Sequence, residues 1–297
     1  ILSNFFSLYQ RFLDYLLEQQ QYSNNTVKNY EYDLQRLDGF FSNHHSDFKK
    51  VNKQDCRLYI SSRFDQKCTA KTISREISTF RHFWGFLQRQ QLVVQNPWKQ
   101  IRLPKIEKKL PVIISTKKMI RFLDGIDSST PVGLRNRAIC ECLYGLGLRV
   151  SELCGLLLDQ IYVEKGECRV IGKGQKERIA VFGEITQSII KRYLIDSRPL
   201  WTVKESKTLF VGPKGKPLTE RTVQRIVKKC SLEQGIVPAL TPHVLRHCYA
   251  SDLYKGGADI SVIKELLGHD HLATTEIYTH VANEELKETM QQAHPRN

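Results

Sequence analysis

The segment Leu103-Pro104-Lys105-Ile106-Glu107-Lys108-Lys109-Leu110-Pro111 constrains this chain more than any other. Proline cannot continue a helix and a run of charge resists burial, so no single core extends across it. At 297 residues the chain is also near the size at which one hydrophobic core stops growing. The expectation is two domains, residues 1–101 and 114–297, joined by a linker over 102–113.

The first third reads as helical. Phe5, Tyr9, Phe12, Leu13 and Leu16 recur at three- and four-residue steps, the apolar stripe of an amphipathic helix. Ser23 or Asn24 caps a second helix with its stripe at Val27, Tyr30, Leu34, Leu37 and Phe41. A third, with a fainter pattern, runs from Lys53 to Phe64. A fourth starts near Thr69 and turns Ile73, Ile77, Phe80, Trp84 and Leu87 inward. Its other face carries Lys71, Arg75, Arg81 and Arg89, a basic strip that either meets solvent or faces a duplex. Beyond the linker, helical patterns over 116–125 and 133–144 precede a short β region. Residues 167–171 and 176–182 alternate apolar and polar side chains around the tetrad Gly172-Lys173-Gly174-Gln175, which predicts a hairpin. Helices then resume over 185–194 and 220–234 and continue nearly to the C-terminus.

Charge narrows the class of partner. Lys and Arg number 45 against 31 Asp and Glu, a formal net charge of +14. Such an excess favours a polyanion, nucleic acid first and an anionic membrane surface second. The first residues carry no basic leader, and no apolar run approaches the roughly 20 residues of a membrane-spanning helix, so a cytoplasmic protein is expected. The eight cysteines form no C-x-x-C pair and read as buried thiols rather than zinc ligands.

Five segments carry chemistry. In Thr241-Pro242-His243-Val244-Leu245-Arg246-His247, Thr at the N-cap and Pro at the first helical position start a helix, which places His243 and Arg246 on one face. In Tyr144-Gly145-Leu146-Gly147-Leu148-Arg149-Val150-Ser151-Glu152, two glycines permit a tight turn before Arg149, and Glu152 can hold its guanidinium. That pair is either a phosphate-binding fork or an ordinary buried ion pair. Lys173, between two glycines at the hairpin tip, is either a solvated turn residue or one delivered to a phosphate. Tyr278 is either a core tyrosine or a nucleophile, and His269 and His271 stand beside no carboxylate or thiol cluster that would complete a metal site. Together these residues supply positive charge and hydrogen-bond donors, whereas metal-dependent nuclease chemistry needs clustered acids.

The segments Gly147-Leu148-Arg149-Val150-Ser151-Glu152-Leu153, Ile171-Gly172-Lys173-Gly174-Gln175-Lys176-Glu177-Arg178, Pro242-His243-Val244-Leu245-Arg246-His247, Leu266-Leu267-Gly268-His269 and Thr274-Thr275-Glu276-Ile277-Tyr278-Thr279-His280 resemble, in order and spacing, the tyrosine recombinase or phage-integrase family, and within it the bacterial Xer type. Ser23-Asn24-Asn25-Thr26, with Tyr30 and Asp33-Leu34, is similar to the family's core-binding domain. The resemblance implies a mainly α fold: a helical, SAM-like core-binding domain and a mostly helical catalytic domain with a small antiparallel β-sheet, forming a C-shaped clamp on DNA. It implies that Tyr278 attacks the scissile phosphodiester to form a 3′-phosphotyrosine. Arg149 and Arg246 would clamp the non-bridging oxygens, Lys173 would protonate the leaving 5′-oxygen, His243 would serve as acid/base, and His269 would donate a further hydrogen bond. Lys71, Arg75 and Arg81 are the candidate DNA contacts of the first domain.

No metal and no other cofactor is implied, and no ATP. The implied partners are a double-stranded DNA recombination site and a DNA translocase, in the resolution of chromosome dimers, with a tetramer on two such sites formed either by this chain alone or with a second related recombinase. The chain after Tyr278 is expected to leave the domain body and dock on a neighbouring protomer. Cys248, Tyr249 and Asp252 depart from the commoner residues of the family and are expected to stand clear of the catalytic set. The competing readings are a type IB topoisomerase, which religates the original strand, and an architectural DNA-binding protein that does not cut.

Overall fold

The computed structural model describes residues 2–20, 22–44, 48–106, 114–172, 177–201, 206–268 and 288–297. The chain divides into two compact units, 1–110 and 111–297. Part of the expected linker (107–113), the hairpin residues 173–176 with Lys173, and the segment 269–287 with His269 and Tyr278 lie outside the described residues.

Unit one is built of α1 (Leu2–Glu18), α2 (Asn24–His44), α3 (Lys53–Asp65) and α4 (Ala70–Arg89). The apolar stripes meet in one core, where Phe12, Leu34, Leu37, Ile73, Ile77, Phe80, Phe83 and Trp84 are buried. Trp98, on a short 3₁₀ turn after α4, closes the core against Phe80 with ring centroids 4.7 Å apart. The faint pattern of α3 has a physical cause: its inward face is largely polar. Asp55, Cys56, Tyr59 and Arg63 are its buried residues. Arg63 and Tyr59 converge on Glu76 of α4, which has no exposed surface and also accepts from Arg36 at 2.9 Å. A carboxylate can be buried in this way only because several donors replace its water.

Unit two is mostly helical. It contains α5 (Thr116–Asp124), α6 (Pro131–Gly145), α7 (Val150–Gly155), α8 (Glu184–Arg192), α9 (Glu220–Glu233), α10 (Pro242–Lys255) and α11 (Ile260–Leu267). Their starts follow sequence chemistry. Ser115, Thr130, Thr219, Thr241 and Asp259 each accept a backbone N–H in the first turn of the helix they cap. The sheet has three antiparallel strands in the order β1 (Ile161–Tyr162), β2 (Glu167–Ile171) and β3 (Glu177–Val181). β1, only two residues long, is too short to show an alternation and was absent from the sequence expectation. Cys168 pairs with Ala180 and Val170 with Arg178, so the buried positions of β3 include an arginine.

Residues 288–297 correct one expectation. They do not leave the body of the domain: Met290 and Ala293 belong to the core of unit two. The His294 ring sits between Tyr144 and Tyr249, at centroid distances of 4.9 and 5.1 Å. Arg296, 2% exposed, donates Nε to Glu141 at 3.1 Å and Nη1 to Asp124 at 3.0 Å, and Nη2 also bonds Glu141. Glu141 has no exposed surface, so its charge requires a cation in the interior, and the chain's own terminal segment supplies it.

Candidate active site

The site is assembled at three chain turns of unit two. After α6 the backbone passes through Gly147 at φ +59°, a conformation that side chains with a Cβ resist. There is no room for one either, because an added Cβ would stand 2.5 Å from the Tyr249 ring. Tyr249 therefore does not stand clear of this region; it packs under the turn that leads to Arg149. The turn delivers Arg149 to the N-cap of α7, where Glu152, at the third helical position, accepts the Arg149 backbone N–H at 2.8 Å and its Nη1 at 2.7 Å. The back-bond that caps the first turn of α7 and the guanidinium clamp thus use the same carboxylate.

Arg246 arrives from the second turn of α10. Its guanidinium lies 3.6 Å from Glu152, donates Nη1 to the Gly147 carbonyl at 2.5 Å, and donates Nη2 to the Leu267 carbonyl at 2.6 Å. Gly147 is 99 residues away in sequence. The side chain is 10% exposed, against 33% for Arg149. Burial and the neighbouring Arg149 push the Arg246 pKa down to about 10, so the group still carries its charge at neutral pH. Burial works against Glu152 ionisation, but Arg178, the Arg149 backbone N–H and the Arg149 guanidinium outweigh it and hold the carboxyl below its ordinary value.

The third turn is the end of α11. Gly268 ends the helix in the left-handed region at φ +62°, and its carbonyl accepts Arg149 Nη2 at 3.1 Å. His243 lies on α10, three residues before Arg246 and exposed, so the expected common face is present. The structure thus brings Arg149 and Arg246 together on Glu152 and leaves His243 exposed on α10, while Lys173, His269 and Tyr278 lie outside the described residues. One participant, Arg178, and the full reach of another, Glu152, had no place in the sequence reading. Glu152 serves three arginines rather than one, and Arg178, 6% exposed, is the third. The signal available for Arg178 was the strand alternation, which puts it on the same face as Ala180.

In unit one, Lys71 is exposed on α4. Arg75 is tied to the buried Asp33 with its side chain 44% exposed. Arg81 serves its own domain, because Nε donates to the Trp98 carbonyl at 3.1 Å and Nη2 to that of Ile101. Arg81, His82, Gly85, Gln88, Arg89 and Lys99 line a basic concavity of about 470 Å³ along α4. Among the described residues no group of three or more His, Cys, Asp or Glu could hold a metal ion, and no helix is long and apolar enough to cross a membrane.

Comparison with known proteins gives this arrangement its class. Residues 113–285 match the phage integrase family, and residues 9–91 match the phage integrase N-terminal SAM-like domain. The chain belongs to the phage integrase family and is a tyrosine-type site-specific recombinase. Its relatives include the tyrosine recombinase XerC of Halalkalibacterium halodurans, 37% identical over 292 residues covering 96% of each chain. They also include the tyrosine recombinase XerD of Yersinia pestis, 36% identical over 292 residues covering 97% of each. Among solved structures, XerH site-specific recombinase bound to palindromic difH substrate, in a post-cleavage complex, matches with a TM-score of 0.66 and 26% identity. That match covers 88% of this chain and 78% of the other.

Proposed function

We propose that the chain cuts and rejoins double-stranded DNA at a specific site through a 3′-phosphotyrosine formed on Tyr278. The observation that supports this most is the convergence of Arg149 and Arg246 on the single carboxylate of Glu152. Two guanidinium groups fixed side by side match the two non-bridging oxygens of a phosphodiester, and each terminal nitrogen in use still has a second hydrogen to donate. Neutralising those oxygens lowers the barrier to attack by another oxygen.

Tyrosine ordinarily ionises near pH 10, so its hydroxyl must lose a proton as the Tyr278 oxygen bonds to phosphorus. His243, exposed one turn ahead of Arg246, is the acceptor of that proton in this proposal. The bond from phosphorus to the 5′-oxygen breaks, and Lys173 protonates the departing oxygen while His269 donates to the phosphate. The phosphotyrosine keeps the bond energy, so rejoining uses no ATP and no step calls for a metal. Lys71 and Arg75, with the basic concavity along α4, supply phosphate contacts in unit one, and binding weakens as salt rises. The proposal extends to action in the cytoplasm on a DNA recombination site, as a tetramer on two sites with a second related recombinase and a DNA translocase, resolving chromosome dimers. The relatives named XerC and XerD support that extension.

A nicked duplex that releases a short strand on cleavage tests the chemistry. The expected result is a protein–DNA adduct that survives detergent, forms in EDTA and is missing from Tyr278→Phe. An adduct that needs magnesium, or that persists in Tyr278→Phe, refutes the assignment. Relaxation of supercoils without any need for a second site would move the activity to a topoisomerase.

A further inference from the structure

Three successive carbonyls at the end of α11 each hold a different arginine. Leu266 accepts Arg178 Nε at 3.1 Å, Leu267 accepts Arg246 Nη2 at 2.6 Å, and Gly268 accepts Arg149 Nη2 at 3.1 Å. The same three guanidinium groups surround Glu152, with Arg149 at 2.7 Å, Arg178 at 3.0 Å and Arg246 at 3.6 Å. Three cations beside one anion repel one another, and Arg149 and Arg178 both work against the charge on Arg246. Two arginines suffice to clamp a phosphate, so the third needs a reason of its own.

Arg178 differs from the other two in its surroundings. It is the least exposed of the three, projecting from the inward positions of β3. One edge of its guanidinium meets Glu152 and another meets α11, while its Nη1 is buried with no partner among the described residues. Its aliphatic stem runs under Gly268, where an added Cβ would stand 2.9 Å from the Arg178 Cδ. It therefore touches both supports of the arginine pair, the carboxylate and the helix end, without the exposure of Arg149.

We infer that Arg178 is a positioning residue of the strand-cleavage site: it locks Glu152 to the last turn of α11 so that Arg149 and Arg246 aim at one phosphate. The inference rests on the phosphotyrosine reading above. The planar fork holds the Leu266 carbonyl on Nε and Glu152 on Nη2, a fixed separation of two donor nitrogens that a single ammonium does not reproduce.

The test compares full-length Arg178→Met and Arg178→Lys with the unaltered protein on the nicked duplex. A second duplex carries a methyl group in place of one non-bridging oxygen at the scissile phosphate, which removes the charge that the arginine pair would neutralise. Arg178→Met is expected to bind DNA within ~3-fold of the unaltered protein yet form adduct ~100-fold more slowly, the scale of loss for a catalytic group displaced by about 1 Å. On the methyl-substituted duplex that gap should close to within ~10-fold, and Arg178→Lys should restore only part of the rate on either. Equal loss on both duplexes, or no loss on either, overturns the inference.

A readout independent of cutting is the arginine side-chain NMR spectrum. The Arg149 and Arg246 guanidinium signals should broaden in Arg178→Lys with no DNA present, and unchanged signals overturn the inference even if Arg178→Met fails to fold. If those signals change but the unaltered protein forms no adduct, the phosphotyrosine reading fails while the placement of Arg178 stands.

Discussion

Replacing Arg296 with Met should unlock the terminal segment at a cost that depends on pH. Arg296 is 2% exposed and Glu141 has no exposed surface, so the substitution leaves a carboxylate buried with only Arg137, at 3.9 Å, as a described ion-pair partner. Breaking one side of a buried pair typically costs about 3–5 kcal/mol. Glu141 has a cheaper response, which is to take up a proton. Holding a carboxyl of ordinary pKa 4.5 neutral at pH 7 costs about 3.4 kcal/mol, 2.5 pH units at about 1.36 kcal/mol each. Burial already holds Glu141 above that ordinary value in the intact protein, even with Arg296 beside it. The expected loss is therefore ~2–3 kcal/mol at pH 7 and under ~1 kcal/mol at pH 5. For a unit of this size the loss at pH 7 corresponds to a fall in Tm of roughly 4–12 °C. Thermal unfolding at the two pH values, followed by scanning calorimetry, measures it. Pairing Glu141→Gln with Arg296→Met should recover most of the loss, since no charge is then left buried. A loss that is the same at both pH values, or a double variant no more stable than Arg296→Met alone, would refute the reasoning.

Two more outcomes follow from neighbouring residues. Burial pushes the His294 imidazole from 6.5 down to about 3, against the pull of Asp252 and with the help of Arg296. Between those values the unfolded chain binds a proton that the folded chain excludes, so stability is fully present above pH 6.5 and is lost as pH falls towards 3. His294→Phe removes that slope, and urea unfolding should show it gaining ~2 kcal/mol on the unaltered protein between pH 7.5 and pH 5; parallel curves would show that His294 does not titrate in this way. Gly147→Ala must adopt positive φ and meet the Tyr249 ring, which should cost about 2–4 kcal/mol and displace the carbonyl that receives Arg246. Unchanged Tm and adduct yield in that variant would mean that the turn does not depend on close packing.

What could be read from the sequence divides along contact distance. The helices of unit one, the helix starts at Thr69 and Thr241, the pairing of Arg149 with Glu152 and the shared face of His243 and Arg246 all depend on residues within a turn or two of each other. Periodicity and capping chemistry report such neighbours directly. Long-range partners left no local trace. Arg178 and Leu266 are 88 residues apart and Glu141 and Arg296 are 155 apart, and nothing in either stretch names the other. Polar inward faces weakened the signal without hiding the element. α3 buries Arg63 and Tyr59 for Glu76, so its apolar pattern is weak although the helix is fully formed. Tyr249 looked like a harmless departure because the glycine it packs against lies in a remote segment.

The ledge of carbonyls at the end of α11 ties the site into a single mechanical part. A shift of that helix end by about the length of a hydrogen bond would slacken all three arginines together rather than one at a time. The polypeptide that leaves the ledge runs directly into the stretch of sequence bearing His269 and then Tyr278. Whatever moves that helix end therefore resets the aim of the whole cationic cluster at once.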